Sequence, residues 1–132
     1  MAKYYNPDLM DFGLDRIRAK AAANTVTLRL ITAYTQGDSY ATVNGNSILS
    51  IALADTDLAL GNQGTLGRQV QVAAKSGTAS GSSSGGDNLH IAIVDETESK
   101  VLAATDETSD QVITSGNTVN VPAFALKMNQ PT

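Results

Sequence analysis

The feature that most constrains this chain is a change of hydrophobic period at Thr25. Before it, Met10, Leu14, Ile17 and Ala21 fall at i, i+4, i+7 and i+11, one apolar face of an α-helix. After it, Val26, Leu28 and Leu30 alternate with Thr25, Thr27 and Arg29, the pattern of a half-buried strand. From there to the C-terminus apolar runs stay short and are cut by Gly, Asn, Asp and Ser clusters about every ten residues. One helix followed only by short strands excludes a parallel α/β sheet. The pattern predicts an all-β fold: a small β-sandwich or barrel-like domain of about seven to eight short antiparallel strands, preceded by an amphipathic α-helix.

The helix has local start and stop signals. Asn6 can cap it, Pro7 suits the first helical position, and Asp8 and Asp11 favour the positive end of the dipole. Arg16, Arg18 and Lys20 lie in the half where cations are favoured, and Asn24 ends it. Gly13 weakens an isolated helix by about 1 kcal/mol, so its apolar face needs a surface to pack on. The chain divides on this reading into an arm and helix over 1–24 and a β-sandwich domain over 25–132, whose strands look able to close a core alone.

Within 25–132, Tyr40 to Val43 reads as a short strand turned by Asn44-Gly45-Asn46, a strong hairpin signal. Ser47 to Leu53 continues as a strand, and Ala54 to Gly64 reads as a loop from which Leu58 and Leu60 touch the core. In Arg68 to Lys75, Val70 and Val72 oppose Gln69 and Gln71. Ser76 to Asp87 is Gly/Ser-rich and reads as a flexible loop, with an edge strand at Thr78 to Ser82 as the alternative. Leu89, Ile91 and Ile93 share one face of the most hydrophobic run, which turns at Asp95-Glu96-Thr97-Glu98 into Lys100 to Ala104. After Val112-Ile113 and a Ser115-Gly116-Asn117 turn, Thr118 to Leu126 is the last strand, with Val119, Val121, Ala123 and Ala125 on one face. Pro122 lacks a ladder donor, so that strand should be an edge or carry a bulge. Ile91, Ile93, Val70, Val72, Leu28, Val119 and Val121 are the expected core.

Composition narrows the function. At 132 residues there is room for one core. A net charge of −4 disfavours nucleic acid as a partner, because phosphate binding needs a clustered positive field. That charge is uneven: residues 1–29 hold five Lys/Arg against three Asp, and residues 30–132 hold four against ten Asp/Glu. A mildly basic head could dock onto an acidic neighbour, but a basic helix end beside a solvated acidic surface is the simpler reading. With no cysteine, disulfides and thiolate metal sites are excluded and an intracellular origin is favoured. No apolar run reaches membrane-spanning length, and Met1 to Tyr5 leads into Asn-Pro-Asp rather than a signal-peptide core.

No set of residues fits a reaction. His90, the single histidine, lies between Leu89 and Ile91 and could pair with Asp95 or Glu96 only as half of an acid–base couple. Asp55-Thr56-Asp57 and Asp106-Glu107 lack the full ligand spacing of a calcium loop. Gly61 to Arg68 echoes a phosphate loop without its Gly-Lys-Ser/Thr ending. The serines of Ser80 to Ser84 have no base at a fixed spacing. The expectation is a non-enzyme, with no catalytic residues, cofactor or metal.

Several stretches together resemble a family of small virion proteins of tailed bacteriophages, proposed as capsid cement or decoration proteins. They are the helix over 6–23 with its Leu-Asp-Arg-Ile-Arg centre (Leu14 to Arg18), Tyr34-Thr35 followed by Ser39-Tyr40-Ala41, Gly67 to Val72, and Gly77 to Gly81. The C-terminal third is most similar, through His90 to Asp95, Val101 to Ala104 and Val112 to Val119 in order. Departures fall at Ser82 to Gly86 and Asp95 to Glu98. The resemblance implies a non-enzymatic protein on the outer surface of the virion capsid, made in the host cytoplasm. It implies binding to the major capsid protein and to neighbouring copies of itself, as monomer or trimer, with no nucleic acid or membrane partner. Avidity over many copies would stabilise the shell.

Alternatives are a phage tail or head-completion subunit, and a ligand- or carbohydrate-binding β-module. Sugar platforms need exposed aromatics, and three of only six stand in the first twelve residues. Tyr4, Tyr5, Phe12, Arg16, Arg18 and Lys20 are therefore the candidate capsid or partner contacts, since Tyr suits interfaces and residues 1–24 hold four of the nine Lys/Arg.

Overall fold

The computed structural model describes residues 7–65, 67–106 and 111–129. The helix α1 spans Pro7–Ala22 and is followed, among the described residues, by nine strands in antiparallel sheets, the expected all-β class. In chain order these are β1 (Val26–Ile31), a short helix α2 (Tyr40–Gly45), β2 (Ser47–Ala52), a 3-10 turn (Asp55–Asp57), β3 (Leu58–Gln63), β4 (Gly67–Val72), β5 (Lys75–Thr78), β6 (His90–Asp95), β7 (Lys100–Asp106), β8 (Thr118–Val121) and β9 (Phe124–Met128).

One layer is the four-stranded sheet β2-β1-β6-β7. The other is a bent ribbon made of β3-β4-β9 and β5-β8. Between them lies the main core, built from Leu28, Leu30, Leu49, Val70, Val72, Ile91, Ile93 and Val121, with Val119 half-buried against it. The seven residues expected to share a core do so. Leu14, Ile17 and Ala21 of α1 belong to this same core, so the helix contributes to the packed body. Met10, the fourth residue of the predicted apolar face, is among those whose side chains lie outside the description.

A second cluster lies on the other face of the four-stranded sheet, where Ile31, Ala92 and Val94 pack with Val43 of α2 and with Tyr34, Tyr40 and Val101. The middle strand β6 is thus buried on both faces, which explains its continuous apolar run. This cluster corrects the reading of Tyr40 to Val43 as a strand. Ser39 caps a helix there, its Oγ accepting from Thr42 N at 3.2 Å. The helical spacing sets Tyr40 and Val43 over the sheet together, and Asn44-Gly45 becomes the end of a helix instead of a hairpin turn.

Three further expectations change. The segment 54–64 is a 3-10 turn and a strand, because Leu58 and Leu60 both face the core at strand spacing. The Gly/Ser segment is not a free loop: its strand is Lys75–Thr78 rather than Thr78 to Ser82, and the remainder is tied to the body. Ser80 and Gly81 both direct their N–H groups at Ile48 O, at 2.8 and 3.3 Å. Ser83 is buried; its Oγ donates to Gln111 O at 2.8 Å and accepts from Ile113 N at 2.9 Å.

The final strand is divided at Pro122. Val72 faces Phe124 and Lys75 faces Val121, so Ala73-Ala74 on one arm and Pro122-Ala123 on the other interrupt a ladder whose register continues through. Pro122 has no N–H to give, and Ala73 turns its own to Asp57 O at 2.8 Å. The inward positions change parity at this corner: Val119 and Val121 face the core before it, Phe124 and Leu126 after it. Ala123 is exposed and Ala125 only half-buried, so the single face expected for Val119, Val121, Ala123 and Ala125 does not form. Both β8 and β9 are edge strands, as the proline requires.

Candidate functional site

Of the six candidate contact residues, the structure fixes the surroundings of three. Tyr4 and Tyr5 lie outside the described residues, and of Phe12 only the backbone, within α1, is described. Arg16 is exposed on the outward side of α1. Arg18 pairs with Asp15 one helical turn away at 3.1 Å, an exposed contact worth a few tenths of a kcal/mol.

Lys20 differs: its ammonium points into the body. It lies 2.5 Å from Asp95 Oδ2 and 2.9 Å from Glu98 Oε1, and its side chain is 13% exposed against 0% for Asp95. The other carboxylate oxygen of Asp95 accepts from Thr97 N at 3.0 Å and Glu98 N at 3.2 Å, which shapes the turn between β6 and β7. The Lys20 hydrogen bond is the main cause that holds the Asp95 carboxyl below its ordinary range; burial opposes it and the two backbone N–H groups reinforce it. The same two carboxylates raise the Lys20 ammonium.

Glu96, the next residue, is the anchor of α2. Its carboxylate accepts from Arg29 Nη2 at 2.7 Å, from the Thr27 hydroxyl and from the Tyr40 hydroxyl. Partial burial pushes the Glu96 carboxyl up, but the hydrogen bonds from Thr27, Tyr40 and Arg29 outweigh it and leave it below its usual range. Donation to that carboxylate raises the Tyr40 phenol. The sequence marked 95–98 only as an acidic turn; the signal that could have pointed to its contacts was a carboxylate directly ending the apolar run Ile91 to Val94.

The remaining candidates for chemistry are separated or engaged. His90 begins β6 and Asp95 ends it, about 16 Å apart at strand rise. The imidazole contacts Asn88 O through Nδ1 at 3.0 Å and packs on the Tyr34 ring at 5.7 Å. Asp57 accepts from Ala54 N at 2.9 Å and from Lys75 at 3.0 Å, holding the 3-10 turn. Its carboxyl is lowered first by the Ala54 amide and further by Lys75, against burial. Gly61 to Gln63 of β3 pair with Gly67 to Gln69 of β4, and the Arg68 guanidinium grips Asp11 of α1 at 2.7 and 3.0 Å. Among the described residues no group of three or more His, Asp or Glu could hold a metal ion, and no helix is long and apolar enough to cross a membrane.

A cleft of about 170 Å³ opens between the two layers, walled by Leu30, Leu89, Ile91, Ile113 and Pro122 with Asn120 at its side. Its described lining includes no titratable group. No protein-family model matches the chain, and neither a curated protein nor a solved structure gives a significant match.

Proposed function

We propose that this chain is a non-enzymatic virion structural protein, a capsid cement or decoration protein that binds the outer surface of the major capsid protein shell of a tailed bacteriophage and stabilises it. The observation that supports this reading is how α1 is held. Arg68 grips Asp11 near one end and Asp95 with Glu98 grips Lys20 at the other, while Leu14, Ile17 and Ala21 are buried between them. The helix is therefore a rigid ridge, and what it offers outward is Arg16 and the Arg18–Asp15 pair. A ridge that does not reorganise loses little entropy on docking, which suits a subunit that must bind many equivalent sites. The basic ridge on an acidic body also favours orientation against an acidic neighbour. Partners under this proposal are the major capsid protein and neighbouring copies of the chain.

The test is co-sedimentation with undecorated heads of the phage that encodes the protein. The wild-type chain should pellet with heads, appear in hundreds of copies per particle by mass spectrometry, and raise the temperature at which heads rupture. Arg16→Glu with Arg18→Glu should abolish pelleting while leaving the circular dichroism spectrum unchanged. A wild-type chain that stays in the supernatant, or occurs in only a few copies, overturns the assignment.

A further inference from the structure

Two helices sit on opposite faces of the four-stranded sheet, and successive residues of one turn hold both. α1 supplies Leu14, Ile17 and Ala21 to the main core on one face, while α2 covers Ile31, Ala92 and Val94 on the other. Lys20, in the last turn of α1, bonds to Asp95 and Glu98. Tyr40, the first residue of α2, bonds to Glu96, which lies between them in sequence. The turn also accepts from β1, through the Arg29 and Thr27 side chains, and donates to the residue just before it, through Glu96 N to Thr25 O at 2.7 Å.

We propose that the 95–99 turn is a shared latch that couples the seating of α1 to the seating of α2 through the sheet. The link is the Asp95 carboxylate, whose oxygens have different tasks. Oδ2 meets the Lys20 ammonium; Oδ1 holds the amides of Thr97 and Glu98, and so fixes the turn that presents Glu96 to Tyr40. Asp95 is fully buried, and a buried carboxylate does not persist without its cation. When Lys20 withdraws, Asp95 must take up a proton or leave its pocket. Both outcomes weaken its hold on the two amides and move Glu96 away from the Tyr40 hydroxyl. Glu98 and Lys100, which pair at 3.2 Å on the exposed side of the turn, cannot substitute, because Lys100 is directed at solvent. Linkage makes the coupling reciprocal: releasing Tyr40 must loosen the last turn of α1. Only a partner that binds the two seatings of α1 with unequal affinity would be communicated in this way to the opposite face of the sheet.

Amide hydrogen exchange on the full chain tests this, read at α2 (residues 41–46), at the last turn of α1 (residues 18–22) and at β3–β4 as reference. Lys20→Met removes the cation and keeps the aliphatic packing. It should speed exchange in α2 roughly fivefold or more, the lower end of couplings between sites, relative to β3–β4. Asp11→Asn cuts the other tether of α1 without touching the turn, and should leave α2 at its wild-type rate. Tyr40→Phe removes one hydroxyl far from α1 and should speed exchange in the last turn of α1 by a similar factor. Equal acceleration of α2 by Lys20→Met and Asp11→Asn overturns the latch, as does a Lys20→Met effect confined to α1. Should Lys20→Met fail to fold, Tyr40→Phe decides: an unchanged rate in the last turn of α1 overturns the coupling.

Discussion

Gly77 of β5 lies against Ile51 of β2 so closely that a Cβ on the glycine would stand 3.0 Å from Ile51 Cγ1. The same contact recurs at Gly81, where a Cβ would be 2.9 Å from Ile48 Cγ2. Gly77 and Gly81 therefore serve close approach, letting the backbone of this segment lie on the side chains of β2. Gly77→Ala and Gly81→Ala should each destabilise the fold by about 1–3 kcal/mol, the usual cost of overpacking. Gly85→Ala, whose Cβ would meet Val112 at an ordinary 3.6 Å, should change stability by less than about 0.5 kcal/mol. Urea midpoints of the three variants check the contrast.

The core makes a second demand. Ile93 is 1% exposed between Leu28 of β1 and Ala103 of β7. Ile93→Ala should cost about 2–5 kcal/mol through lost transfer energy and a residual cavity. An urea midpoint within error of wild type would place the wrong face of β6 in the core.

Removal of 1–24 should unfold the body. Leu14 and Ile17 each contribute about 1.5–3 kcal/mol by burial, and both lie in the main core beside Val70 and Val72. Added to the buried Lys20–Asp95 contact, that loss is a large part of the roughly 5–15 kcal/mol that stabilises a domain of this kind. A chain starting at Thr25 should lack a cooperative melt by circular dichroism; a sharp transition near the wild-type temperature would show the strands closing without the helix.

Stability should form a plateau between acidic and alkaline limbs. Asp57, Asp95, Glu96 and Glu98 all have folded pKa values below their ordinary ones, so their contribution is present above the ordinary carboxylate range, near 4, and fades as pH falls through the lowered values. Lys20 and Tyr40 are raised, so what they add is complete below about 10 and fades as pH climbs through the raised values. Asp95→Asn should flatten the acid limb of a plot of urea midpoint against pH. An acid limb as steep in Asp95→Asn as in wild type would remove Asp95 from its cause.

Much of this architecture is legible in the sequence where one local rule acts alone. The period at Leu14, Ile17 and Ala21 marks α1, and strict alternation at Leu28, Val70 and Val72 marks the faces of β1 and β4. The misread segments are those where a distant contact outweighs a local signal. Asn44-Gly45 is a hairpin signal by composition, yet Val43 and Tyr40 fit the outer face of β6 only as a helix. The Gly/Ser run is flexible by composition, yet Ile48 and Ser83 fix it. For the candidate contacts, charge count placed Arg16, Arg18 and Lys20 together, whereas only a partner far along the chain reveals that Lys20 faces inward.

The corner at Pro122 imposes a constraint on chain length. Because Ala73-Ala74 and Pro122-Ala123 occupy matching gaps in one continuous register, the two arms of the ribbon behave as paired rulers. A residue inserted in one arm alone would slip every rung beyond it and turn Val119 and Val121 away from the core. A matched insertion of two residues in each arm at the corner keeps both the rungs and the faces aligned. Length changes within the ribbon should therefore come in matched pairs, one in each arm.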